Sequence, residues 1–407
     1  MVNPQRLPDP VFLNRATPPR LVTLTLLAGL SSLAMNLMLP SLPQMAVYFD
    51  APYALMQLAV SLYLALSAVL QIIIGPISDR FGRRPVVLTG LGLFLLATLG
   101  TLLAPNAGVF LFFRMAQAVV SVGMVLSRAV VRDMVDGPKA ASMIGYVTMG
   151  MSLVPMVGPV IGGALQEVFG WQSNFVMLGL LGIAVTALAW ADLGETAVTQ
   201  RKSFAEQARL YPALLGAPRF WAYCGAATFA SGCFYAFVGG APYVGAKVFG
   251  LSPAAIGAAF TMPSIGYMAG NFLAGRFSVR VGMNRMILLG TMITTAGVGG
   301  LALATWAGFS GAYGFFGAMI SLGLGNGIAL PNANAGILSV RPDLAGTASG
   351  LGGAIAIGGG AALSAFAIAL LPPGSGELPL ILLMSGSSIA SVLAILPLLS
   401  AGAGLRE

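Results

Sequence analysis

The sequence predicts an all-α integral membrane protein whose twelve transmembrane helices form two pseudo-symmetric six-helix bundles. Three observations carry this. Of 407 residues, 57% are hydrophobic and only 8% are charged, whereas a soluble domain carries about 25% charged residues. The apolar residues fall into twelve runs, each near or above the roughly 20 residues that cross a bilayer. The basic residues lie between those runs, almost all on one side. A formal charge of +8 is therefore a topology signal here, since a nucleic-acid footprint would be an exposed, clustered basic patch.

Residues 1–20 are polar and Pro-rich and are expected to be a cytoplasmic tail. The run after them is too long for a cleaved signal peptide and is read as a retained first span. The first bundle, 21–192, is expected to span at 21–45, 54–77, 84–104, 107–132, 140–168 and 172–192. Residues 193–217 form the longest polar connection, a central cytoplasmic linker with Glu195, Arg201, Lys202, Glu206 and Arg209, whose part from Ser203 to Leu215 reads as an amphipathic surface helix. The second bundle, 218–401, is expected to span at 218–246, 253–277, 285–306, 309–334, 345–371 and 378–401, with a cytoplasmic tail at 402–407. An even span count then places Arg6, Arg15, Arg20, Arg80, Arg83, Arg84, Lys139, Arg201, Lys202, Arg209, Arg219, Arg280, Arg285, Arg341 and Arg406 inside, and essentially Lys247 alone outside. Asp50, Glu167 and Glu377 also fall outside. The expected setting is a bacterial inner membrane, crossed many times, with both ends in the cytoplasm.

The halves echo each other. The loop after the second span, Gly75 to Arg84, and the loop after the eighth, Gly275 to Arg285, repeat Gly, Ser, Arg and Gly at positions 200 residues apart (75/275, 78/278, 80/280, 82/282). Repeated halves enclosing a midplane site are the usual architecture of secondary transporters.

The chain lacks the residues of several other function classes. The chain has no Gly-x-x-x-x-Gly-Lys-Ser/Thr loop to hold ATP, and without His it offers no nucleophile–His pair. No Cys or His cluster suggests a metal, so neither a cofactor nor an enzymatic activity is expected. Cys224 and Cys233 sit in one apolar run, roughly 13 Å apart along a helix, too far to bridge.

The loop Gly75-Pro76-Ile77-Ser78-Asp79-Arg80-Phe81-Gly82-Arg83-Arg84 is the most specific pattern. It resembles the Gly-x-x-x-Asp-Arg-x-Gly-Arg-Arg loop of the major facilitator superfamily; read without the resemblance, it is a positive-inside loop. The resemblance implies that Asp79, Arg83 and Asp133 form a charge network latching the halves in the outward-facing state, with Gly75, Arg80, Gly82 and Arg84 completing the gate. Gly150, Gly158-Pro159 and Gly162-Gly163 of the fifth span look like the Gly-Pro antiporter motif of the drug-exporting branch, or serve ordinary close packing. In the fourth span Arg114 and Gln117 resemble the family's Arg-x-x-Gln pattern, linked there to proton coupling or substrate contact, although Ala118 stands where Gly is usual. Burying Arg at mid-span costs about 2.5–3.5 kcal/mol on insertion scales, so Arg114 is a functional candidate; snorkelling to the outer face is its plainer reading.

Asn36-Leu37-Met38-Leu39-Pro40-Ser41-Leu42-Pro43, Gln57, Ser61, Gln71, Ala129-Val130-Val131-Arg132-Asp133, Ala241-Pro242-Tyr243-Val244, Pro331-Asn332-Ala333 and Ala345-Gly346-Thr347-Ala348-Ser349 narrow the resemblance. They are similar to the Bcr/CflA (bicyclomycin and chloramphenicol resistance) type of drug:proton antiporter. That resemblance implies multidrug efflux across the inner membrane by alternating access with proton antiport.

One departure matters. Asn36 stands where that family usually has Asp, and Asn cannot titrate. No other carboxylate lies at mid-span, so the alternative is a transporter of a neutral or anionic metabolite, working as a uniporter. The residues expected to line the cavity are Asn36, Gln57, Tyr63, Arg114, Gln117, Ser121, Tyr235, Tyr243, Asn271 and Asn332, together with Asn326 and Asn334. For any one of them, bonding between helices is an equal reading. The expected partners are a small-molecule substrate, membrane lipids and, by resemblance, protons. Nucleic acid is not among them, and two bundles around one cavity make a monomer sufficient.

Single-cysteine labelling in intact cells checks the topology. A cysteine at Arg80 is expected to be protected from an impermeant maleimide, and one at Asp50 to react.

Overall fold

The computed structural model describes residues 10–135, 143, 144, 146, 147, 151, 154–197, 211–309, 311–341, 344–372 and 374–401. Ten helical stretches, from Leu21–Tyr48 to Leu378–Leu399, are long and apolar enough to cross a membrane. Hydrocarbon offers no partner for N–H or C=O, so a lipid-facing segment must close its own hydrogen bonds, and the helix does so within one segment.

In the first half, α1 (Leu21–Asn36) stops at Asn36 and the chain resumes through a 3₁₀ turn (Leu39–Ser41) and α2 (Leu42–Tyr48). Pro40 and Pro43 have no N–H to donate, which accounts for the break. The half continues with α3 (Tyr53–Phe81), α4 (Arg83–Leu102), α5 (Ala107–Ala116), a 3₁₀ stretch (Gln117–Val120), α6 (Ser121–Met134), α7 (Val154–Phe169) and α8 (Gln172–Asp192). The second half holds the short α9 (Tyr211–Leu215), α10 (Pro218–Tyr243, prolonged by a π turn over Val244–Val248), α11 (Pro253–Ala259), α12 (Thr261–Val281), α13 (Met283–Trp306), α14 (Ala312–Val340), α15 (Ala345–Ala369) and α16 (Leu378–Ala401).

Two expected spans differ from single long helices. The fifth, expected over 140–168, has continuous helix described only in α7. The eighth divides at Phe260 into α11 and α12 and runs on to Val281. Gly150, residues 198–210 of the central linker, and the stretches 1–9 and 402–407 lie outside the described residues; of the expected Ser203–Leu215 surface helix, only Tyr211–Leu215 is described.

The repeated loops share one backbone geometry. Gly82 (φ 93°, ψ 153°) and Gly282 (φ 89°, ψ 144°) each end one helix and start the next. Each donates its N–H to a serine carbonyl four residues back, Ser78 O and Ser278 O, at 3.0 Å. That positive φ is open to Gly and strained for other residues, so the sequence echo is the trace of a copied turn.

The halves meet most closely at the loop face opposite these arginine loops. There α7 packs on α11, while α3 packs on α15 along more of its length, from Gln57 beside Ser364 to Gln71 beside Gly353. The backbones touch where side chains are missing: a methyl group at Gly163 would collide with the Pro253 carbonyl, and one at Gly257 with the Pro159 carbonyl. Glu167 adds a polar clasp across the same seam, accepting from Ser252 Oγ at 3.0 Å and Ala254 N at 3.1 Å. Deeper in, Gln57 Nε2 donates to Ser364 O (3.0 Å) and Oγ (2.9 Å). This end is sealed.

Gly163→Val forces overpacking at the seam, which costs about 1–3 kcal/mol and is expected to loosen the contact between the halves there. Spin labels at Val47 and Phe309, both exposed at this face, are expected to report longer distances in the variant by double electron–electron resonance.

Candidate functional site

A cavity of about 310 Å³ lies between the halves. From the first half α1, α3 and α6 reach it with Ser31, Ser32, Met35, Asn36, Tyr63, Leu64, Ser67, Gln71, Ser121, Met124 and Arg128, joined by Met151 and Pro155. From the second half come Ser231, Phe234 and Tyr235 of α10, Pro263, Ser264 and Tyr267 of α12, Gly323, Asn326 and Leu330 of α14, and Ile357 of α15. The spacing follows helical period: Ser67 and Gln71, Ser121, Met124 and Arg128, and Pro263 and Tyr267 each share one face of their helix. Met and aromatic side chains make most of the wall, and they adapt to varied shapes.

The polar groups on this wall are incompletely paired within the protein. Ser67 Oγ, Gln71 Nε2, Ser121 Oγ, Arg128 Nε and Asn326 Oδ1 are buried with no hydrogen-bond partner. Asn36, the last residue of α1, donates from Nδ2 to Ser32 O at 2.8 Å. Among the described residues no carboxylate lines the cavity.

Gln71 and Arg128 also line a second space of about 270 Å³, which runs to the arginine-loop face past Asp79, Arg83, Arg132, Asp133, Thr347 and Ser349. The two spaces adjoin at Gln71 and Arg128, the second lying toward the arginine-loop face and the first on the side of the Glu167 seam.

The loop motif builds a compact charge cluster beside this vestibule. Arg83 pairs with Asp79 at 2.6 Å and with Asp133 at 2.9 Å, and also donates to Ser78 Oγ. Asp79 and Arg83 face each other across the Gly82 turn, and Asp133 arrives from the end of α6. Glu195 caps the start of α4, accepting from Arg83 N at 2.8 Å and Arg84 N at 3.2 Å. Arg84 donates to Trp190 O at 2.9 Å, and Ser78 Oγ to Gly75 O at 2.7 Å. Arg80 lies over the Phe81 ring at 5.4 Å. Both ion pairs belong to the first half, so the cluster ties α3, α4 and α6 to the start of the central linker; it does not bridge the halves in this conformation.

Of the residues expected on the cavity, Asn36, Tyr63, Ser121 and Tyr235 are there, with Asn326. The others lie elsewhere. Gln57 belongs to the seal, and Tyr243 packs on Tyr53 at 5.1 Å near the same end. Asn271 and Asn332 each donate to the carbonyl four residues back in their own helix, Tyr267 O and Ile328 O, both at 2.8 Å. Arg114 and Gln117 are wholly buried behind the wall. Arg114 Nε donates to Ala59 O at 3.2 Å and Nη1 to Gln117 Oε1 at 2.9 Å. Its guanidinium lies 4.1 Å from the centre of the Tyr63 ring. Gln117 passes the contact to Thr98 Oγ1 at 2.8 Å. On an uninterrupted helix Arg114 and Ser121, seven apart, share a face. The 3₁₀ stretch between them winds about 20° more per residue, roughly 80° over its four residues, and turns Arg114 away.

Of the fifth-span glycines, Gly158 and Gly162 pack against the break in α1: a methyl at Gly162 would meet the Leu37 carbonyl. Pro159 and Gly163 face the second half at the seam. Sequence reasoning missed Arg128 as a wall residue because its position near the end of the span reads as snorkelling. It missed Glu195 because nothing marks one acid in a polar connection as a helix cap.

The chain is similar to proteins of one known family. Residues 24–365 match the model of the Major Facilitator Superfamily. The chloramphenicol resistance protein of Pseudomonas aeruginosa is 31% identical over 320 residues, 78% of this chain and 76% of that one. Multidrug resistance protein D of Escherichia coli (strain K12) is 28% identical over 384 residues, 93% of this chain and 95% of that one. The crystal structure of the peptide transporter POT in complex with alafosfalin superposes with a TM-score of 0.74 at 15% identity, covering 100% of both chains, a likeness of fold.

The placement of Arg114 has a measurable consequence. Gln117→Leu leaves Arg114 Nη1 buried without its acceptor, a loss of about 1–3 kcal/mol. Thermal unfolding of the detergent-solubilised variant is expected to show this loss, and Gln117→Glu, which keeps an acceptor, to restore most of it.

Proposed function

Because the chain belongs to the Major Facilitator Superfamily, we propose that it exports small drug-like molecules across a bacterial inner membrane by alternating access. The observation that carries this reading is a mostly apolar cavity between the halves, with a path to one loop face and a backbone-to-backbone seal at the other. The drug-resistance names of the relatives, of the Bcr/CflA kind, support the substrate class. The arginine loops mark the open end as cytoplasmic, with both termini on that side. Cargo then enters past Arg132 and leaves when α7 and α11 part. The residue boundaries of the two bundles follow the same reading, 21–192 and 218–401 on either side of the central linker, and one chain suffices for the cycle.

In the cycle, closing the vestibule brings the start of α15, where Thr347 and Ser349 line it, toward Asp79. A carboxylate is stabilised beside a helix N-terminus, which gives the outward-facing state a contact the open vestibule lacks. The charge cluster is therefore a gate that the cargo passes.

Proton antiport is the coupling the family resemblance implies. A second reading, flux independent of a proton gradient, is favoured by a specific observation: Asn36 cannot titrate and no carboxylate lines the cavity among the described residues. The nearest acids on the path, Asp79 and Asp133, are held by Arg83.

Expression in an efflux-deficient host is expected to raise tolerance to neutral amphenicol-like compounds. Reconstituted in proteoliposomes, the protein is expected to move them faster with an imposed pH gradient. Equal flux without the gradient establishes the second reading, and Asn36→Asp is then expected to create gradient dependence.

A further inference from the structure

We infer that the cavity selects organic anions, binding an apolar body among its Met and aromatic residues and an acidic head group at Arg128. This names the substrate class of the proposed transport site and so rests on that reading.

Four observations point the same way. First, Arg128 lines both the inner cavity and the vestibule, at their junction. Second, its charge is uncompensated: its Nε is buried and unpartnered, and both ion pairs among the described residues belong to Arg83. Arg132, one turn further on, adds a second positive charge, so the vestibule holds three arginines (83, 128, 132) against two aspartates (79, 133). Third, among the described residues the cavity is lined by no carboxylate that would welcome a cation or compete with an anion for Arg128. Fourth, the unpaired atoms on the wall favour donation. Gln71 Nε2 and Arg128 Nε can only donate, the Ser67 and Ser121 hydroxyls can donate, and Asn326 Oδ1 alone can only accept.

Gln71 and Arg128 share the junction, so one acidic group there can take donors from both. The remainder of the ligand then points into the space bounded by Met35, Met124, Phe234 and Tyr235. A charge-assisted bond in a partly dehydrated site is stronger than one between neutral groups. Arg114, the span's other deep arginine, does not line this cavity: its guanidinium lies behind the Tyr63 ring, so it can add to the positive field but offers the ligand no hydrogen bond.

The test compares three ligands of one shape: biphenyl-4-acetate, its primary amide, and 2-(biphenyl-4-yl)ethylamine. Binding to the purified full-length protein is measured by calorimetry in a non-ionic detergent without added anionic lipid. The acetate is expected to bind at least about tenfold more tightly than the amide, and the amine most weakly. Arg128→Gln is expected to cut that preference by about the same factor, and Arg128→Lys to keep most of it. A wild-type protein that binds the amide or amine as well as the acetate, or binds none of them, overturns the inference. So does a preference that survives Arg128→Gln or vanishes in Arg128→Lys. If Arg128→Gln does not fold, the wild-type series and the lysine variant decide. Export of amphenicol-like compounds without any anion preference overturns the anion assignment alone; absence of export together with absence of binding overturns both readings.

Discussion

Hydrocarbon cannot accept or donate a hydrogen bond, and every feature of this protein is arranged around that fact. Backbone polar groups pair within their own helices along the lipid-facing length, and the departures from the α-helix are sheltered by protein. The break after Asn36 is covered by α7, whose Gly162 comes up against the Leu37 carbonyl. The 3₁₀ stretch over Gln117–Val120 is largely buried between neighbouring helices. Small residues make this possible twice over, allowing helices close enough to shield a break and allowing the two halves to meet backbone to backbone at Gly163 and Gly257.

The same constraint sorts the polar side chains into two populations. Arg114, Gln117 and Thr98 form a chain of contacts inside the first half, with Tyr63 as its cover and Arg114 Nη2 left without a partner. Ser67, Gln71, Ser121, Arg128 and Asn326 instead keep unpaired atoms at the space between the halves. Groups whose partners are internal stiffen the wall; groups with spare capacity are the ones able to recognise something that comes and goes. Buried polarity alone does not mark a binding site, because the more deeply buried arginine belongs to the structural population.

Much of the architecture was legible in the residues because hydrophobic length and arginine placement are coarse signals that survive tilt and bending. The loop repeat was legible because Gly82 and Gly282 occupy a conformation that few residues share. The cavity was only partly legible. Asn36, Tyr63, Ser121 and Tyr235 were found from polarity within spans, but Gln57 and Tyr243 sit too close to the sealed end, and Asn271 and Asn332 bond their own helices. Arg114 was misplaced because a local change of winding alters helical phase without altering composition. Arg128 looked peripheral because a position counted along a chain says little about depth once a vestibule brings the outside inward. The Glu195 cap joins residues over a hundred positions apart, and no local pattern announces it.

The two arginine loops share a backbone but not a chemistry. Asp79 and its partners on Arg83 have no counterpart in the second loop, where Val279 is almost fully exposed and Met283 follows the glycine. The turn occurs twice, and among the described residues only the first copy carries ion pairs. The second copy keeps the turn alone, so a change at Gly282 acts on backbone shape, whereas a change at Asp79 acts on charge pairing.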